Sequence, residues 1–587
     1  MYKLLKTNIF FLFLLIVIVF SVYYKSISFD FSNKDDDILI KSNIQYISNI
    51  KNIPKHFITS CYYTDKGYYR PILSLSFSLD SILFKTSIKR YRITNIILFT
   101  LALYLMYIFL INLKLNENLS KFIIILLSVH PILVSASCWI PARNDTLLLI
   151  FLIPCLIYFL KYTDTTNLIH LLLYYTFFTL ALFTKETTII ILLVLPVMSY
   201  FFKYKINRTQ LKTIFFGSVF IILFYFILRL TALNINSFEI TNLKLIISNI
   251  FLGTFKYIEN LIYIFNEPIA QYNINLSASL IITNIIFLGF ILYLYFNKET
   301  NKKIVSFSLL WFIIFLLPTY FIKDYIWLPH RIIIPIIGLL IILIYILDKI
   351  INNYPFIKKY ILTLFILLFP CLCCISYHQE DKFINAFVYY STLCKEAPLF
   401  HAHFKGLAAE YAKKGDFEKY KENLFKAYEL SGDDRYIIDK INILLHENKN
   451  NEVEILCMNL LDTPDLYSDY KLYALKTLIK IYIIQQDFNK AFYYIQQYCT
   501  LNPNDTEILI TLAKLYAITG KYQEAINILL KIEPDNLNND TYYFFLSNLY
   551  EDTNDLDNAK IFIKKALELS PENNEYKNKY LLLENKN

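Results

Sequence analysis

Eleven times before residue 377 the chain returns to an apolar stretch of 15 to 21 residues: 8–23, 93–113, 122–138, 146–160, 168–183, 187–202, 214–230, 278–296, 305–321, 332–347 and 360–376. About 20 apolar residues wound as an α-helix match a hydrocarbon layer about 30 Å thick, and a helix satisfies its own backbone N–H and C=O groups where no water can. The predicted fold class is therefore all-α, with a polytopic membrane domain of about eleven transmembrane helices over residues 1–377. Stretch 8–23 follows Lys3 and Lys6 but has no small-residue cleavage site after it, so it is read as an anchor and not as a signal peptide.

The formal charge of +9 conceals a division: residues 1–377 carry 33 Lys+Arg against 16 Asp+Glu, and residues 378–587 carry 24 against 32. An acidic second half argues against nucleic acid as its partner. Cations gather at Lys203, Lys205, Arg208 and Lys212, at Lys298, Lys302 and Lys303, and at Lys349, Lys358 and Lys359. By the positive-inside rule this sets the N-terminus in the cytoplasm and the C-terminal domain outside it, in the inner (plasma) membrane for a bacterial protein. Lys89, Arg90 and Arg92 run against the rule but end a long loop. Segment 242–265 is read as packed at the outer surface, since a span there would carry His330 and Arg331 to the other side. The nine cysteines are scattered, and Cys371, Cys373 and Cys374 share one apolar run without histidine, so they are read as small apolar side chains.

Residues 378–587 repeat. Tyr482, Tyr516 and Tyr550 are spaced by 34 residues, as are Ala491, Ala525 and Ala559. That period with those residue types marks tetratricopeptide repeats, in which an aromatic residue of the first helix meets a small residue of the second where the two cross. Pro503 and Pro571 end second helices, while Leu537 stands where the middle unit would have proline. An earlier unit surrounds Phe404, Leu407, Ala408, Tyr411, Gly415 and Ala427, a half-unit covers 386–398, and residues 430–470 are degenerate repeats or an insertion.

In the topology above, Asp35-Asp36-Asp37, Tyr69-Arg70, Arg143-Asn144-Asp145, Lys185-Glu186 and His330-Arg331 all fall at the end opposite the N-terminus. Ionisable groups near a membrane are costly and mark function by default. One of the three aspartates could serve as a general base towards a hydroxyl; the alternative is a solvated turn. Arg70, Arg143, Lys185, His330 and Arg331 together suit an anionic phosphate; singly, each could extend towards lipid headgroups. Lys185-Glu186 reads as an ion pair within a tight turn, His130 before Pro131 as a hydrogen-bonded packing residue in mid-span, and Tyr69, Asp145 and Glu186 as supporting residues. No metal site is expected.

The strings "DDD", "YYRPILSLSFSLD", the "TN" of "YRITNIILF", "HPILVSASCWIPARNDTLLL", "LFTKET" and "LPHRIIIPIIG", in this order and followed by the repeats, resemble the transmembrane and tetratricopeptide repeat-containing O-mannosyltransferases and their bacterial relatives, within the C-type superfamily of multi-span glycosyltransferases. Arg92 stands where the family often has His, and Ser135 where it often has an acid. The resemblance implies a membrane glycosyltransferase that moves a mannose-like sugar from a polyprenyl-phosphate donor, with no further cofactor, to Ser or Thr of an extracytoplasmic protein. Asp36 or Asp37 would be the base of an inverting displacement, Arg143 and Arg331 would hold the donor phosphate, and the repeats would present the acceptor. Two other readings remain: a non-catalytic membrane-anchored scaffold for protein partners, and a transferase acting on a glycolipid or surface polysaccharide.

Overall fold

The computed structural model describes the chain except residues 1, 33, 64–66, 86, 203–206, 234–242, 266–267, 273, 275, 322–325, 432–435, 464–467, 533–539 and 586–587. It is helical almost throughout, the described residues adding one two-residue antiparallel ladder, Gln271–Tyr272 against Ile326–Trp327. The chain separates into two compact units, Met1–Asn423 and Leu424–Asn587.

In the first unit each of the eleven predicted stretches overlaps a helix. Among the described residues eight helices are long and apolar enough to cross a membrane, or nine if a bent pair is one span, so the count of eleven is not reproduced. Two of the predicted stretches, now Leu168–Thr184 and Glu186–Phe201, are shorter apolar helices, and Pro71–Phe84 is a third of that kind. Segment 242–265 contains the helix Leu243–Ile262, whose Tyr257, Ile258, Glu259 and Asn260 are buried.

Stretch 122–138 is the bent pair, Glu117–Ser128 and Pro131–Cys138, turning by 65°. The break follows from Pro131, which has no N–H to offer and clashes with the preceding turn. The carbonyls this liberates are met from elsewhere: the Tyr23 hydroxyl donates to Ser128 O at 3.1 Å and the Ser376 hydroxyl to Val129 O at 2.8 Å. His130 caps the following turn, its Nδ1 accepting from Ile132 N–H at 3.2 Å, and its Nε2 lies 3.3 Å from Leu261 O. With Nδ1 accepting, Nε2 carries the proton, and both ring nitrogens of His130 have backbone partners.

Close packing elsewhere depends on glycine. A Cβ on Gly338 of helix Ile336–Asn353 would collide with Ser308 O of helix Lys302–Tyr320, so the two backbones touch there. Beside that contact Trp311 is fully buried, donates to Ile334 O at 2.9 Å and packs on Phe109 at 5.7 Å.

Polar residues collect at two ends of this unit. One end joins Asn116 to Asp348 (2.7 Å), Lys349 to Glu299 (3.1 Å) and Tyr107 to Asn8 (2.8 Å). These residues adjoin the lysine clusters assigned to the cytoplasm, of which Lys203 and Lys205 lie outside the described residues. Between Asp30 and Phe84 the chain forms the short helices Lys34–Asp36, Ile44–Ile47, Ile50–Phe57 and Pro71–Phe84 before the span Ile88–Asn112 begins, and this segment builds the other end.

The half-unit over 386–398 belongs to the first unit. Tyr389 and Leu393 of helix Ala386–Glu396 lie in the same apolar core as the long helices, and Glu396 accepts from Ile269 N–H at 2.6 Å. The two units divide after Asn423, beyond the expected boundary at 377/378.

The second unit is an antiparallel helical array. Tyr482 stacks on Tyr494 at 5.5 Å, Tyr516 meets Phe492 at 5.0 Å and Tyr550 stacks on Phe562 at 5.4 Å, while Ala491, Ala525 and Ala559 are wholly buried at the crossings. Asp487 and Asp555 cap second helices through Lys490 N–H and Asn558 N–H, each at 3.2 Å. Leu537 lies outside the described residues. Helices Ile437–His446 and Asn450–Asp462 extend the array upstream, their Ile441, Leu444, Val453 and Cys457 sharing a core with Ala474 and Leu478, so part of the uncertain 430–470 stretch is a degenerate unit.

Candidate functional site

The site takes shape at the end of the first unit built by residues 30–84. Arg143 opens helix Arg143–Thr165 and is buried. Its Nε donates to Asn95 Oδ1 at 2.6 Å and one terminal nitrogen to Tyr91 O at 3.0 Å, that nitrogen also forming an ion pair with Asp80 Oδ2 at 2.8 Å, and the other faces Ser76 O and Oγ at 3.4 and 3.5 Å. Each of the three guanidinium nitrogens thus faces a protein acceptor. Arg143, expected to hold a donor phosphate, is thus buried and paired with Asp80.

Two residues along, Asp145 joins two other segments. Lys185 Nζ lies 2.6 Å from Asp145 Oδ1, and His330 Nε2 lies 3.7 Å from Oδ2, with the His330 ring 5.0 Å from that of Trp139. Arg331 is half-buried and acts electrostatically on the same carboxylate. Burial pushes His330 down to about 3, although Asp145 works in the opposite direction, so the imidazole is neutral at physiological pH. Burial also lowers Lys185, which Asp145 opposes and Arg70 reinforces.

Lys185 and Glu186 do not pair with each other, which corrects the turn reading. Their backbone leaves one helix at Lys185 in extended geometry and enters the next at Glu186. Neighbours on an extended chain point to opposite sides, so each finds a distant partner. Glu186 takes both Nε (3.2 Å) and a terminal nitrogen (2.8 Å) of Arg70, whose guanidinium also lies 4.1 Å above the Tyr68 ring. Tyr69 is buried, donates to Phe57 O at 2.7 Å and accepts at its carbonyl from Tyr225 at 3.2 Å, which places Arg70 at the start of helix Pro71–Phe84.

The aspartate triplet packs at the same end, Lys34–Asp36 against Ile140–Ala142 and Asp37–Lys41 against Pro71–Phe84. Its members differ. Asp36 is fully buried, with Oδ2 accepting from Ser32 N–H at 2.7 Å and Ser32 Oγ at 2.8 Å, and it lies in the field of Arg92. Asp35 is half-buried, and Asp37 is half-buried with Lys41 at 3.6 Å. Of Asp36 and Asp37, either of which the resemblance makes the base, Asp36 is the one bonded to Ser32 and Asp37 the one partly open.

Arg92 donates to Phe29 O at 3.1 Å, Cys138 O at 2.7 Å and Asp30 O. Ser135 is buried and lines a shallow groove with Pro131, Pro329, Phe383 and Lys382, whose ammonium pairs with Glu396 at 2.7 Å. Among the described residues no three His, Cys, Asp or Glu side chains gather in a group able to hold a metal ion.

Asp80 and Asn95 lie within the strings that carry the resemblance but are given no role there, and Glu380 lies outside them. Asp80 sits inside an apolar helix, where a lone carboxylate signals a buried cation partner. Glu380, wholly buried and accepting from Ser26 N–H at 3.1 Å, lies beyond the last span and carried no such signal.

Comparison with known proteins bears on the repeats. Residues 496–587 match the SusR N-terminal TPR domain family, and the chain carries tetratricopeptide repeats. No curated protein matches. Similar solved structures include PilF of Pseudomonas aeruginosa (15% identity, 34% of this chain and 89% of that one, TM-score 0.28). Others are the TPR protein YrrB (16%, 32% and 96%, TM-score 0.27) and a tetratricopeptide repeat protein from Parabacteroides merdae (16%, 31% and 72%, TM-score 0.28).

Proposed function

We propose that this is a membrane-anchored tetratricopeptide repeat protein whose array binds a protein or peptide partner, the helical unit serving as its anchor. The repeat register carries this reading, because a solenoid that stacks helix pairs leaves an extended surface suited to polypeptide binding. Eight long apolar helices support the anchor. The pairing of Arg143 with Asp80, Arg70 with Glu186 and Lys185 with Asp145 fits a unit whose charges hold helices together. The proposed orientation has the N-terminus in the cytoplasm and the repeats outside. The full chain should resist alkaline extraction from membranes, and a cysteine at Asn504 should react with an impermeant maleimide in intact cells. Release by alkali defeats the anchor, and labelling only after lysis defeats the orientation.

A second reading, a glycosyltransferase using a polyprenyl-phosphate sugar, is favoured by one observation. Asp35, Asp37, Asp145, Lys185, His330 and Arg331 come from four distant segments to one end of the helical unit. With Asp36 tied to Ser32, the base in this reading is Asp37 or Asp35, and the phosphate would meet Lys185 and Arg331. Membranes holding the chain should transfer label from polyprenyl-phosphate mannose, and Asp35→Asn with Asp37→Asn should abolish transfer without reducing expression. Absence of transfer by the unaltered chain removes this reading, and the product, protein or glycan, identifies the acceptor class.

A further inference from the structure

Resting on the partner-binding reading, the inference concerns what the array would bind. On helix Ser468–Ile484, Tyr473, Lys476, Lys480 and Ile484 follow one another at intervals of three or four and so share a face. On Thr506–Ile518 the corresponding face holds Glu507, Lys514 and Ile518. These faces adjoin, because Lys476 Nζ reaches across to Glu507 at 2.9 Å and to Asp505 at 3.0 Å. Tyr473 likewise donates to Asn442 of the preceding first helix at 2.6 Å. The first helices are thus stitched edge to edge, and beyond the stitching one motif occurs twice, one repeat apart: Lys480 with Ile484, and Lys514 with Ile518.

Both isoleucines are strongly exposed, at 72% and 63%, and both lysines are exposed. Among the described residues neither lysine has a carboxylate partner, unlike Lys476, Lys490 and Lys579 and like the exposed Lys521, Lys531, Lys564 and Lys565 of the same unit. The motif is two repeats long. One repeat further the same positions hold Asn548 and Asp552, and Asn548 meets Lys579 of the last helix; in the preceding unit, where the left-handed turn residue Asn448 stands for Gln486, they hold Asn442 and His446. Two ammonium groups so arranged are a local exception in a half of the chain with 24 Lys+Arg against 32 Asp+Glu.

We propose that this double Lys–Ile ladder is the docking surface for an acidic segment of another polypeptide, one that offers a carboxylate to each of Lys480 and Lys514 and apolar side chains to Ile484 and Ile518. The two lysines set the sign of the partner, and the isoleucines supply the dry contact that makes charged hydrogen bonds worth forming.

The test uses the full chain in detergent micelles and two fluorescein-labelled 12-residue peptides, one of alternating Glu and Leu and one of alternating Lys and Leu, followed by anisotropy. The Glu–Leu peptide should bind and the Lys–Leu peptide should not. Lys480→Glu with Lys514→Glu should weaken the first at least tenfold and create binding of the second, a gain that misfolding cannot produce. Ile484→Ser with Ile518→Ser should weaken the Glu–Leu peptide without changing which peptide is preferred. Equal binding of both peptides, binding indifferent to the charge reversal, or binding of neither overturns the ladder. Concentration-dependent dimers that the charge reversal dissolves would make a second copy of the chain the occupant and also overturn it. None of these outcomes touches membrane extraction or Asn504 labelling, which test the anchor and its orientation separately.

Discussion

The two units manage charge in opposite ways. In Met1–Asn423 the ion pairs at the site join distant parts of the chain and are buried: Arg143 with Asp80, Arg70 with Glu186, Lys185 with Asp145. In Leu424–Asn587 the pairs are local or one repeat apart and partly solvated, such as Lys490 with Asp487 and Lys476 with Glu507. A charge in an apolar bundle must be neutralised wherever the fold can bring a partner, whereas a charge on a solenoid surface needs none and gains little from one. The contrast predicts which substitutions each unit tolerates.

The sharpest break is Arg143→Met. Removing one member of a buried pair strands the other, at a cost of about 3–5 kcal/mol, whereas replacing both with apolar residues of similar volume is often nearly neutral. Arg143→Met alone should therefore abolish monodisperse protein in detergent size-exclusion chromatography, and Arg143→Met with Asp80→Leu should restore much of it. If the double variant is no better than the single one, the pair is not the cause.

Acid should separate the units next. His330 and His403 of the first unit are buried and held at about 3 and about 4, burial being the main cause in both. Below the ordinary value near 6.5 the unfolded chain takes up protons that the folded chain refuses, so stability present at pH 7 falls as pH drops towards 4. The slope is at most about 1.4 kcal/mol per pH unit for each histidine. Thermal unfolding followed by tryptophan fluorescence suits this, since Trp139, Trp311 and Trp327 all lie in the first unit. His330→Phe with His403→Leu should flatten the dependence of Tm between pH 6.5 and 4; an unaltered profile would assign the acid sensitivity to other groups.

Within the array, Ala525→Leu should cost about 1–3 kcal/mol by forcing apart the helices at a fully buried crossing. Lys476→Ala, which removes a part-exposed pair, should cost no more than about 1 kcal/mol. Urea unfolding followed by circular dichroism measures both, and comparable losses would show that the surface stitching matters as much as the core.

Legibility followed the same division. The 34-residue period located Tyr482, Ala491 and their equivalents before any coordinates, because every contact they make recurs at a fixed chain distance. The structure also brings Asp35–Asp37, Arg70, Arg143, Lys185 and His330 to one end, but an alternation of eleven spans does not account for it, because that count is not reproduced. Partner choice was not readable. Adjacency suggested Lys185 with Glu186, yet extended backbone turns the two apart, and Asp80 and Glu380 entered only when separate helices were brought together.

From its residues alone the chain is bound to be helical, to have an apolar half and an acidic repeating half, and to hold its ionisable groups at helix ends, because backbone hydrogen bonding and the expense of buried charge act through local composition. Tertiary structure decided which carboxylate neutralises which cation, that Asp36 is enclosed while Asp35 and Asp37 are partly open, and that helix Ala386–Glu396 joins the bundle. Those outcomes depend on distances between segments remote in the chain, which no spacing along it encodes.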